Sequence, residues 1–423
     1  MNNTLSVKHL ADYIEKKNNT SFLAKMFKKA LLNKFKGLKI GHLIIEDENE
    51  TYTFGDSNSK KIAEIKILSQ EFYVFVGSGG AMGAAEAYSA GYWQSDNLVN
   101  VIQIVFNNKS VLKSLDSGLA KLAIPINNII HKRRQNTLLG SKKNILAHYD
   151  LSNEFYQLWL DQTMTYSCGI FNDNNSTMKE ASIEKLDRFC RKLKLTSNDH
   201  ILEIGTGWGS FAIHAAKNYG CKVTTTTISD AQFNYVTNLI KKENLDSQII
   251  LYNKDYRELT GQYDKLISIE MIEAVGYNYI SDFFNKASSL LKPDGLMALQ
   301  GITYNDQNFN TYKNSVDFIK KYIFPGSCLI SISQITEAIK TKTDLNLIDL
   351  EDITEHYATT LNRWRKMFIK KIPQVRQLGF SETFIKMWEF YFVYCEAGFL
   401  ERNIGDVQFM FAKPKFKKIE ISN

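Results

Sequence analysis

The sequence predicts an α/β protein with a doubly wound parallel sheet and a smaller α+β domain at its N-terminus. Strand-like apolar runs alternate with helical stretches from residue 201 onward, and a glycine-rich turn follows the first of these runs. The first hundred residues show a different pattern of short strands. Strands that alternate with helices form parallel sheets, whose ligands bind beyond the carboxyl ends of the strands.

The composition fits a globular protein of one large or two domains. The chain has 423 residues, 44% of them hydrophobic, and 52 Lys and Arg against 45 Asp and Glu. The net charge of +7 is compatible with an anionic membrane or a nucleic acid and decides between neither. Five cysteines without a C-x-x-C pair indicate reduced thiols and favour neither a disulfide framework nor a zinc site. We find no apolar signal core and no bilayer-length apolar run, so any membrane contact is expected to be peripheral.

We interpret residues 1–110 as a separate domain that engages lipid. Residues 22–38 place apolar side chains near one helical face and lysines elsewhere, as in helices that lie on anionic membranes. A helix packed on its own domain has the same pattern. A Gly/Ala-rich segment, 77–91, follows the predicted strands of this domain. These strands are 42–45, 51–54, 62–68 and 72–76.

Residues 111–147 are polar and basic and are predicted to form a linker. Their basic cluster is more often a solvated face than a binding patch, although a phosphate-rich partner would change that interpretation. The cluster consists of His131, Lys132, Arg133, Arg134, Lys142 and Lys143.

The α/β domain is predicted to occupy residues 148–423. A final apolar run, 407–411, can close its sheet, and residues 303–400 hold aromatic-rich helices, including 384–394. The predicted strands are 201–204, 222–228, 248–252, 264–270 and 295–302, with helices such as 230–243 and 279–291 between them.

The turn after the first of these strands predicts a ligand site. Glycines at 205, 207 and 209 allow close approach of a ligand to the backbone, and the next helix begins with unpaired N–H groups. A dinucleotide fingerprint requires glycine where Ser210 stands. The spacing favours S-adenosylmethionine, and Glu203 in the strand suits a sulfonium better than a pyrophosphate. An incidental glycine-rich turn is the alternative.

Together with this turn, four segments resemble the cyclopropane-fatty-acyl-phospholipid synthase family, which includes the mycolic acid cyclopropane synthases. They are 148–171 (HYDLSNEFY through MTYSCGIF), 227–232 (TISDAQ), 255–257 (DYR) and 270–276 (EMIEAVG). The N-terminal domain carries further family positions at Gly83, Glu86, Tyr88, Gly91 and Trp93.

The resemblance covers nearly the whole chain and implies a class I methyltransferase, Rossmann-like fold with S-adenosylmethionine as cofactor. It also implies a homodimer. The positions expected to bind the cofactor are Tyr166, Ser167, Glu203, Gly205, Gly207, Gly209, Thr227, Ile228, Gln232, Tyr256 and Arg257.

The family's chemistry requires a proton acceptor. Methyl transfer to a cis alkene leaves a carbocation, which must lose a proton to close a three-membered ring. The family uses a bound bicarbonate ion for this step. The groups that hold it align with the backbones of Cys168 and Ile302 and the side chains of Glu273, Gln300 and Tyr357. Mycobacterial members have histidine at position 300; a glutamine amide can donate a hydrogen bond to the anion but cannot carry a proton.

Three further residues are weaker candidates. Cys395 aligns with a C-terminal cysteine of the family that would act as a nucleophile, although buried thiols are common core residues. His148 and His356 could serve in acid–base work, but such histidines are more often structural. We predict no metal site.

We therefore predict a cytoplasmic, peripherally membrane-associated synthase that adds a methylene from S-adenosylmethionine to the cis double bond of phospholipid acyl chains. The phospholipid bilayer surface is its expected partner, and nucleic acid is not. One alternative is a related methyltransferase that makes methyl-branched lipids or acts on amines. The other is a catalytically silent lipid-binding protein. The predicted anion site favours ring closure over the first, and the glycines with Glu273 argue against the second.

Overall fold

The structure is a computed structural model that describes residues 21–115 and 151–417. Their strands, in chain order, are β1 (His42–Asp47), β2 (Glu50–Gly55), β3 (Ile62–Ile67), β4 (Trp93–Gln94), β5 (His200–Ile204), β6 (Lys222–Thr227), β7 (Ile249–Asn253), β8 (Tyr263–Ile269), β9 (Leu291–Tyr304), β10 (Asn346–Asp352) and β11 (Ile404–Ala412).

The helices of the described residues are α1 (Ser21–Phe35), α2 (Glu71–Ser89), α3 (Leu98–Asn107), α4 (Lys109–Leu115), α5 (Asn153–Gln157), α6 (Met178–Lys192), α7 (Ser210–Tyr219), α8 (Asp230–Lys242), α9 (Ile280–Ser289), α10 (Phe309–Lys313), α11 (Ile332–Lys342), α12 (Thr354–Lys370), α13 (Ile372–Gln377) and α14 (Glu382–Leu400). Among these residues, no helix has the length and apolar character needed to cross a membrane.

The chain folds into two compact units that are not continuous in sequence. The N-terminal unit contains the described residues up to 115 together with 315–323 and 361–403. The large-sheet unit contains the remaining described residues. Residues 361–403, which the sequence-based boundaries place in the second domain, group instead with the N-terminal unit. The basic cluster of 131–143 and His148 lie outside the described residues.

The sheet of the N-terminal unit has the order β2-β1-β3-β4. β1 pairs parallel with β3, and its pairing with β2 is antiparallel, as is that of β3 with β4. Buried and more exposed residues alternate along β1 and β3, which is the pattern of a sheet with one face on the core. The first three predicted strands of this domain are therefore confirmed.

The fourth predicted strand, 72–76, is wrong, because these residues lie in α2. Phe72, Tyr73 and Val76 are all buried. A short apolar run cannot be assigned by periodicity alone, since it suits a buried helix as well as a buried strand. The apolar helix α14 packs against α2 and α3, with the rings of Tyr88 and Phe390 5.7 Å apart.

The large-sheet unit has a seven-stranded sheet in the order β10-β11-β9-β8-β5-β6-β7. β11 runs antiparallel to β9 and β10, and the other neighbours are parallel. The five predicted parallel strands and the closing run 407–411 are confirmed. β10 was not predicted, because this edge strand is exposed at almost every position.

Apolar cores cover both faces of this sheet, as the doubly wound prediction requires. One core includes Phe189, Phe211 and Val236 from α6, α7 and α8. The other includes Phe283 of α9 and Ile335 of α11. From β5 the chain adds β6 and β7 on one side of the sheet and then β8 on the other side of β5. The order therefore reverses between β5 and β8, and ligands of such sheets bind at the carboxyl ends of the strands at this switch point.

Candidate active site

The glycine-rich turn lies at the carboxyl end of β5. Gly205, Gly207 and Gly209 have φ values of 96°, 53° and 88°, which other residues rarely adopt. A Cβ at position 205 would lie 3.0 Å from Met271, and one at 209 would lie 3.1 Å from Val236, so both glycines permit close packing. A Cβ at position 207 would meet no atom within 4 Å. Gly207 therefore borders open space, where a ligand can approach the backbone.

The loop after β6 lies beside this turn, because the N–H groups of residues 205 and 206 donate to the Thr226 carbonyl. Thr227 Oγ1 is hydrogen-bonded to Gln232 Oε1 at 2.8 Å. Ser229 Oγ accepts from the Gln232 N–H and begins α8. Thr227 and Gln232 are buried, and Ile228 is half-buried. The motif thus forms a capped turn that holds three predicted cofactor positions at the strand end.

Tyr256 and Arg257 follow β7 in a short 3₁₀ helix. The Arg257 guanidinium makes two hydrogen bonds with Asp255, at 2.8 and 2.7 Å, so its charge is already paired. Tyr256 is buried, and its ring lies 5.5 Å from that of Phe283. Both residues are near the strand ends. The contacts in the structure are an ion pair for Arg257 and ring packing for Tyr256.

The segment that carries Tyr166 and Ser167 connects to the turn through aromatic rings. The ring of Tyr156 lies 5.5 Å from that of Tyr166 and 4.7 Å from that of Trp208, which stands inside the glycine turn. Ser167 Oγ accepts a 2.8 Å hydrogen bond from Lys185. Tyr166 is therefore connected to the glycine turn through the ring of Tyr156.

Glu203 is buried within the sheet. Its Oε2 accepts a 2.6 Å hydrogen bond from Thr225 on β6. Burial raises the pKa of Glu203 to about 8. The hydrogen bond to Thr225 fixes Glu203 in the sheet, and its role beside a sulfonium stays a prediction.

A carboxylate that the sequence analysis left without a role, Glu270, lies at the centre of the predicted anion site. The Cys168 N–H donates to Glu270 Oε1 at 2.8 Å, and Gln300 Nε2 donates to the same oxygen at 2.7 Å. The Tyr357 hydroxyl donates to Glu270 Oε2 at 2.6 Å. Three of the groups assigned to bicarbonate thus bind a side chain of the protein.

The other two predicted anion-site groups bind each other. The Ile302 N–H donates to Glu273 Oε1 at 2.5 Å. Glu273 Oε2 is buried and has no hydrogen-bond partner among the described residues. Burial, followed by the neighbouring Glu270, raises the pKa of Glu273 to about 8. Bicarbonate does not fit this arrangement, because its expected donors are occupied and its expected place is lined by carboxyl groups.

Charged groups that the sequence analysis missed complete the cluster. Asp406 on β11 is fully buried and accepts a 2.9 Å hydrogen bond from Gln300. Burial and the carboxylates of Glu270 and Glu273 raise the pKa of Asp406 well above its ordinary value. Lys185 is also buried, and desolvation lowers its pKa. The E-x-x-E motif could have identified Glu270 as a site residue. Asp406 and Lys185 lie in no motif that would have identified them.

Cys395 and His356 do not take part in the carboxyl cluster. Cys395 is on α14 of the N-terminal unit, and burial raises the pKa of its thiol well above the usual range, so it is not a thiolate. His356 Nδ1 accepts from the Phe171 N–H at 3.2 Å and acts as a structural acceptor. Within the described ranges, no group of three His, Cys, Asp or Glu is arranged to hold a metal ion.

The comparisons with known proteins agree on one family. A family model described as mycolic acid cyclopropane synthetase matches residues 137–409. The tuberculostearic acid methyltransferase UfaA1 of Mycobacterium tuberculosis is 34% identical over 334 residues, which are 77% of each chain. The cyclopropane-fatty-acyl-phospholipid synthase of Escherichia coli K12 is 32% identical over 361 residues, 84% of this chain and 89% of that protein.

A solved structure agrees with the fold. The mycolic acid cyclopropane synthase CmaA1, in a complex with SAH and CTAB, has a TM-score of 0.60 and 30% identity. The match covers 64% of this chain and 98% of that one. The expected class I methyltransferase fold is therefore confirmed. The chain belongs to the mycolic acid cyclopropane synthetase family of S-adenosylmethionine-dependent lipid methyltransferases.

Proposed function

We propose that the protein transfers a methyl group from S-adenosylmethionine to the cis double bond of a phospholipid acyl chain and closes a cyclopropane ring. The observation that carries this proposal is the carboxyl cluster of Glu270, Glu273 and Asp406 beside the glycine turn. Met271 links the two features, because it follows Glu270 and lies against Gly205. Methylation of an alkene requires such a proton acceptor, whereas a neutral amine can be methylated without one.

The cofactor, when bound, supplies an electrophilic methyl group on a sulfonium. Gly207 borders the space for it, and the capped turn at Thr227 and the Tyr166 segment surround the same strand ends. Backbone N–H groups and buried side chains hold the carboxylates in place before the substrate arrives. Such preorganisation keeps the proton-accepting group oriented at no cost during the reaction.

Membrane association is part of the proposal. In α1 the apolar side chains Phe22, Leu23 and Met26 are exposed, by 80%, 45% and 45%, whereas Leu31 and Phe35 of the same helix are buried. The predicted helix is therefore packed on its own unit at one end and presents apolar groups at the other. Exposed apolar side chains beside lysines suit the surface of an anionic bilayer. We retain a homodimer as a prediction.

Methyl branching is a second candidate. Its support is the similarity to the tuberculostearic acid methyltransferase over 77% of both chains. A branched or methylene product also begins with methyl transfer to an alkene and uses the same carboxyl cluster. The two candidates therefore differ in where the proton is lost.

The first test is incorporation of one carbon into lipid. Purified protein with S-adenosylmethionine and vesicles of dioleoyl phosphatidylglycerol should give acyl chains heavier by one methylene, as measured by mass spectrometry. Vesicles of the saturated dipalmitoyl lipid should give none. Methylation of soluble amines with no change in either lipid would exclude the proposal.

A further inference from the structure

We infer that Glu270 provides, from within the chain, the carboxylate that accepts the substrate proton, so that this protein works without bicarbonate. The inference rests on the proposed function and names the acceptor at its site. It starts from a disagreement between the family resemblance and the structure. The resemblance assigns five groups to a free anion, whereas in the structure three of them, all hydrogen-bond donors, bind one side chain.

The three donors come from separate parts of the large-sheet unit. Cys168 contributes a backbone N–H from the loop before α6, Gln300 an amide from β9, and Tyr357 a hydroxyl from α12. Donors that converge on one carboxylate from three elements fix its orientation and oppose the rise in its pKa that burial causes. Gln300 is itself held by Asp406 at 2.9 Å and Gln408 at 3.2 Å. The amide therefore cannot turn away to serve another anion without breaking these bonds.

The backbone also directs Glu270 to this place. The residue comes directly after β8 and has a φ of 48°, in the left-handed region. Its N–H remains bonded to the Gln300 carbonyl at 2.9 Å, so the conformation is fixed by the sheet. Residues other than glycine adopt this conformation at an energetic cost, and such strain is concentrated at functional sites.

Glu270 is the most accessible carboxylate of the cluster. It is half-buried, whereas Glu273 is 9% exposed and Asp406 is fully buried. A carboxylate has about four acceptor positions, and the three donors occupy three of them. Among the described residues, Oε2 accepts the hydrogen bond from Tyr357 and retains a lone pair to receive a proton.

The proton balance needs no further reactant. The bond between the methyl carbon and the cofactor sulfur breaks as the bond to one alkene carbon forms, which leaves a cation at the other alkene carbon. A C–H bond of the transferred methyl then breaks, and its electron pair closes the ring. The proton moves to Glu270 Oε2 and leaves to water before the next turnover.

A free anion at the same site would be poorly bound. Ile302, the remaining predicted backbone donor, is bonded to Glu273. The carboxylates already raise one another's pKa, as Glu270 does for Glu273 and Asp406. Lys185, a buried cation near them, donates to Ser167. Bicarbonate would add negative charge where, among residues 21–115 and 151–417, the predicted donors and Lys185 already have partners.

The test compares the full-length protein with Glu270→Gly and Glu270→Gln. Formation of S-adenosylhomocysteine on unsaturated vesicles is measured in buffer stripped of carbon dioxide and then with added bicarbonate or formate. Wild type should turn over equally in all three. Glu270→Gly should lose about 100-fold or more of the rate and regain part of it with either anion. Glu270→Gln should lose as much and regain none, because its amide fills the space.

A binding measurement keeps the inference separate from the lipid reaction. With [13C]bicarbonate, wild type should show no saturable binding by NMR, whereas Glu270→Gly should bind the ion. Glu48→Gly is the matched control, since Glu48 is an exposed glutamate of the N-terminal unit with a φ of 54°. It should retain the wild-type rate.

Three results would overturn the inference. They are a wild-type rate that depends on bicarbonate, saturable binding of bicarbonate to wild type, and a Glu270→Gln protein with full activity. Unchanged affinity of both variants for S-adenosylhomocysteine, measured by calorimetry, establishes that they are folded. If wild type modifies no lipid, the proposed function fails, and the binding measurement still decides whether Glu270 excludes the anion.

Discussion

Gly207 gives the most direct residue-scale prediction about the cofactor. It combines a φ of 53° with open space around the position of a Cβ. Gly207→Val should abolish measurable binding of S-adenosylhomocysteine in calorimetry, because the branched side chain enters the ligand space. Gly379→Val is a matched control, since Gly379 also has a positive φ, 87°, and open space, but lies in the N-terminal unit. Equal affinity in the two variants would remove the turn from the cofactor site.

Glu273 is expected to act in catalysis and not in cofactor binding. Its Oε2 lies in the carboxyl cluster with no hydrogen-bond partner among the described residues, and Glu273→Gln removes a group that can bind or release a proton with little change in shape. The variant should retain its affinity for S-adenosylhomocysteine and lose about 100-fold or more of kcat on unsaturated vesicles. A loss of cofactor affinity with normal turnover at saturation would contradict this role.

We expect Tyr357 to influence the pH dependence of the reaction. Burial raises the pKa of Glu270 above its ordinary value, and the Tyr357 hydroxyl opposes this shift. A carboxylate base is active when ionised, so activity is present above its pKa and is lost as the pH falls through it. Tyr357→Phe should therefore move the acid limb of the kcat profile upward by roughly half to one pH unit, equivalent to about one hydrogen bond.

The comparison for this profile is Tyr219→Phe. The Tyr219 hydroxyl donates to Asp187 at 2.8 Å, in contact with a carboxylate that has no part in the cluster. The acid limb of the kcat profile of Tyr219→Phe should coincide with that of wild type. An unshifted limb in Tyr357→Phe would show that Glu270 is not the titrating base.

The residues of the site were predictable as a set, but their partners were not. Cys168, Gln300 and Tyr357 converge as expected, although they are far apart in sequence. That they converge on Glu270 depends on a left-handed φ at the end of β8. Such a conformation has no signature in the residue types, and the family resemblance alone assigned these groups to a free anion.

At the scale of elements, α1 predicts how the protein meets a membrane. Replacing Phe22, Leu23 and Met26 together with serine removes apolar surface that is already exposed, so the unit should stay folded. Sedimentation with anionic vesicles should fall several-fold, and added salt should weaken the binding of both proteins because it screens the lysines.

Ile250→Ser provides the control for this measurement. Ile250 is 47% exposed on β7 of the large-sheet unit, so the change removes apolar surface of a similar kind from another element. Its vesicle binding should match that of wild type. Equal sedimentation of the α1 variant and wild type at every salt concentration would leave α1 with a structural role alone.

The success of element prediction followed the strength of the local pattern. β5 and β8 are rich in apolar residues and β6 in β-branched threonine, and their buried positions explain why they were recognisable. Residues 72–76 are apolar as well, but belong to helix α2, whose glycines weaken the helical signal and which is kinked at Gly80. β10 carries few buried residues and forms only an edge, so its sequence resembles a loop.

At the scale of the whole molecule, the chain returns to its first unit after building most of its second. The apolar helix α14 buries its surface against α2 and α3. A boundary drawn along the sequence cannot show this, because the pattern of α14 indicates burial without indicating the partner. The doubly wound parallel sheet was predictable, since alternating strands and helices permit few topologies.

The most direct test of the central claim follows the transferred carbon. S-adenosylmethionine labelled with 13C in its methyl group is incubated with the protein and vesicles of dioleoyl phosphatidylglycerol, and the lipid is analysed by NMR. Ring closure predicts the label as a cyclopropane CH2 with upfield ring protons and loss of the alkene signal. A labelled methyl branch, or a labelled exocyclic methylene, would contradict ring closure and assign the protein to methyl branching.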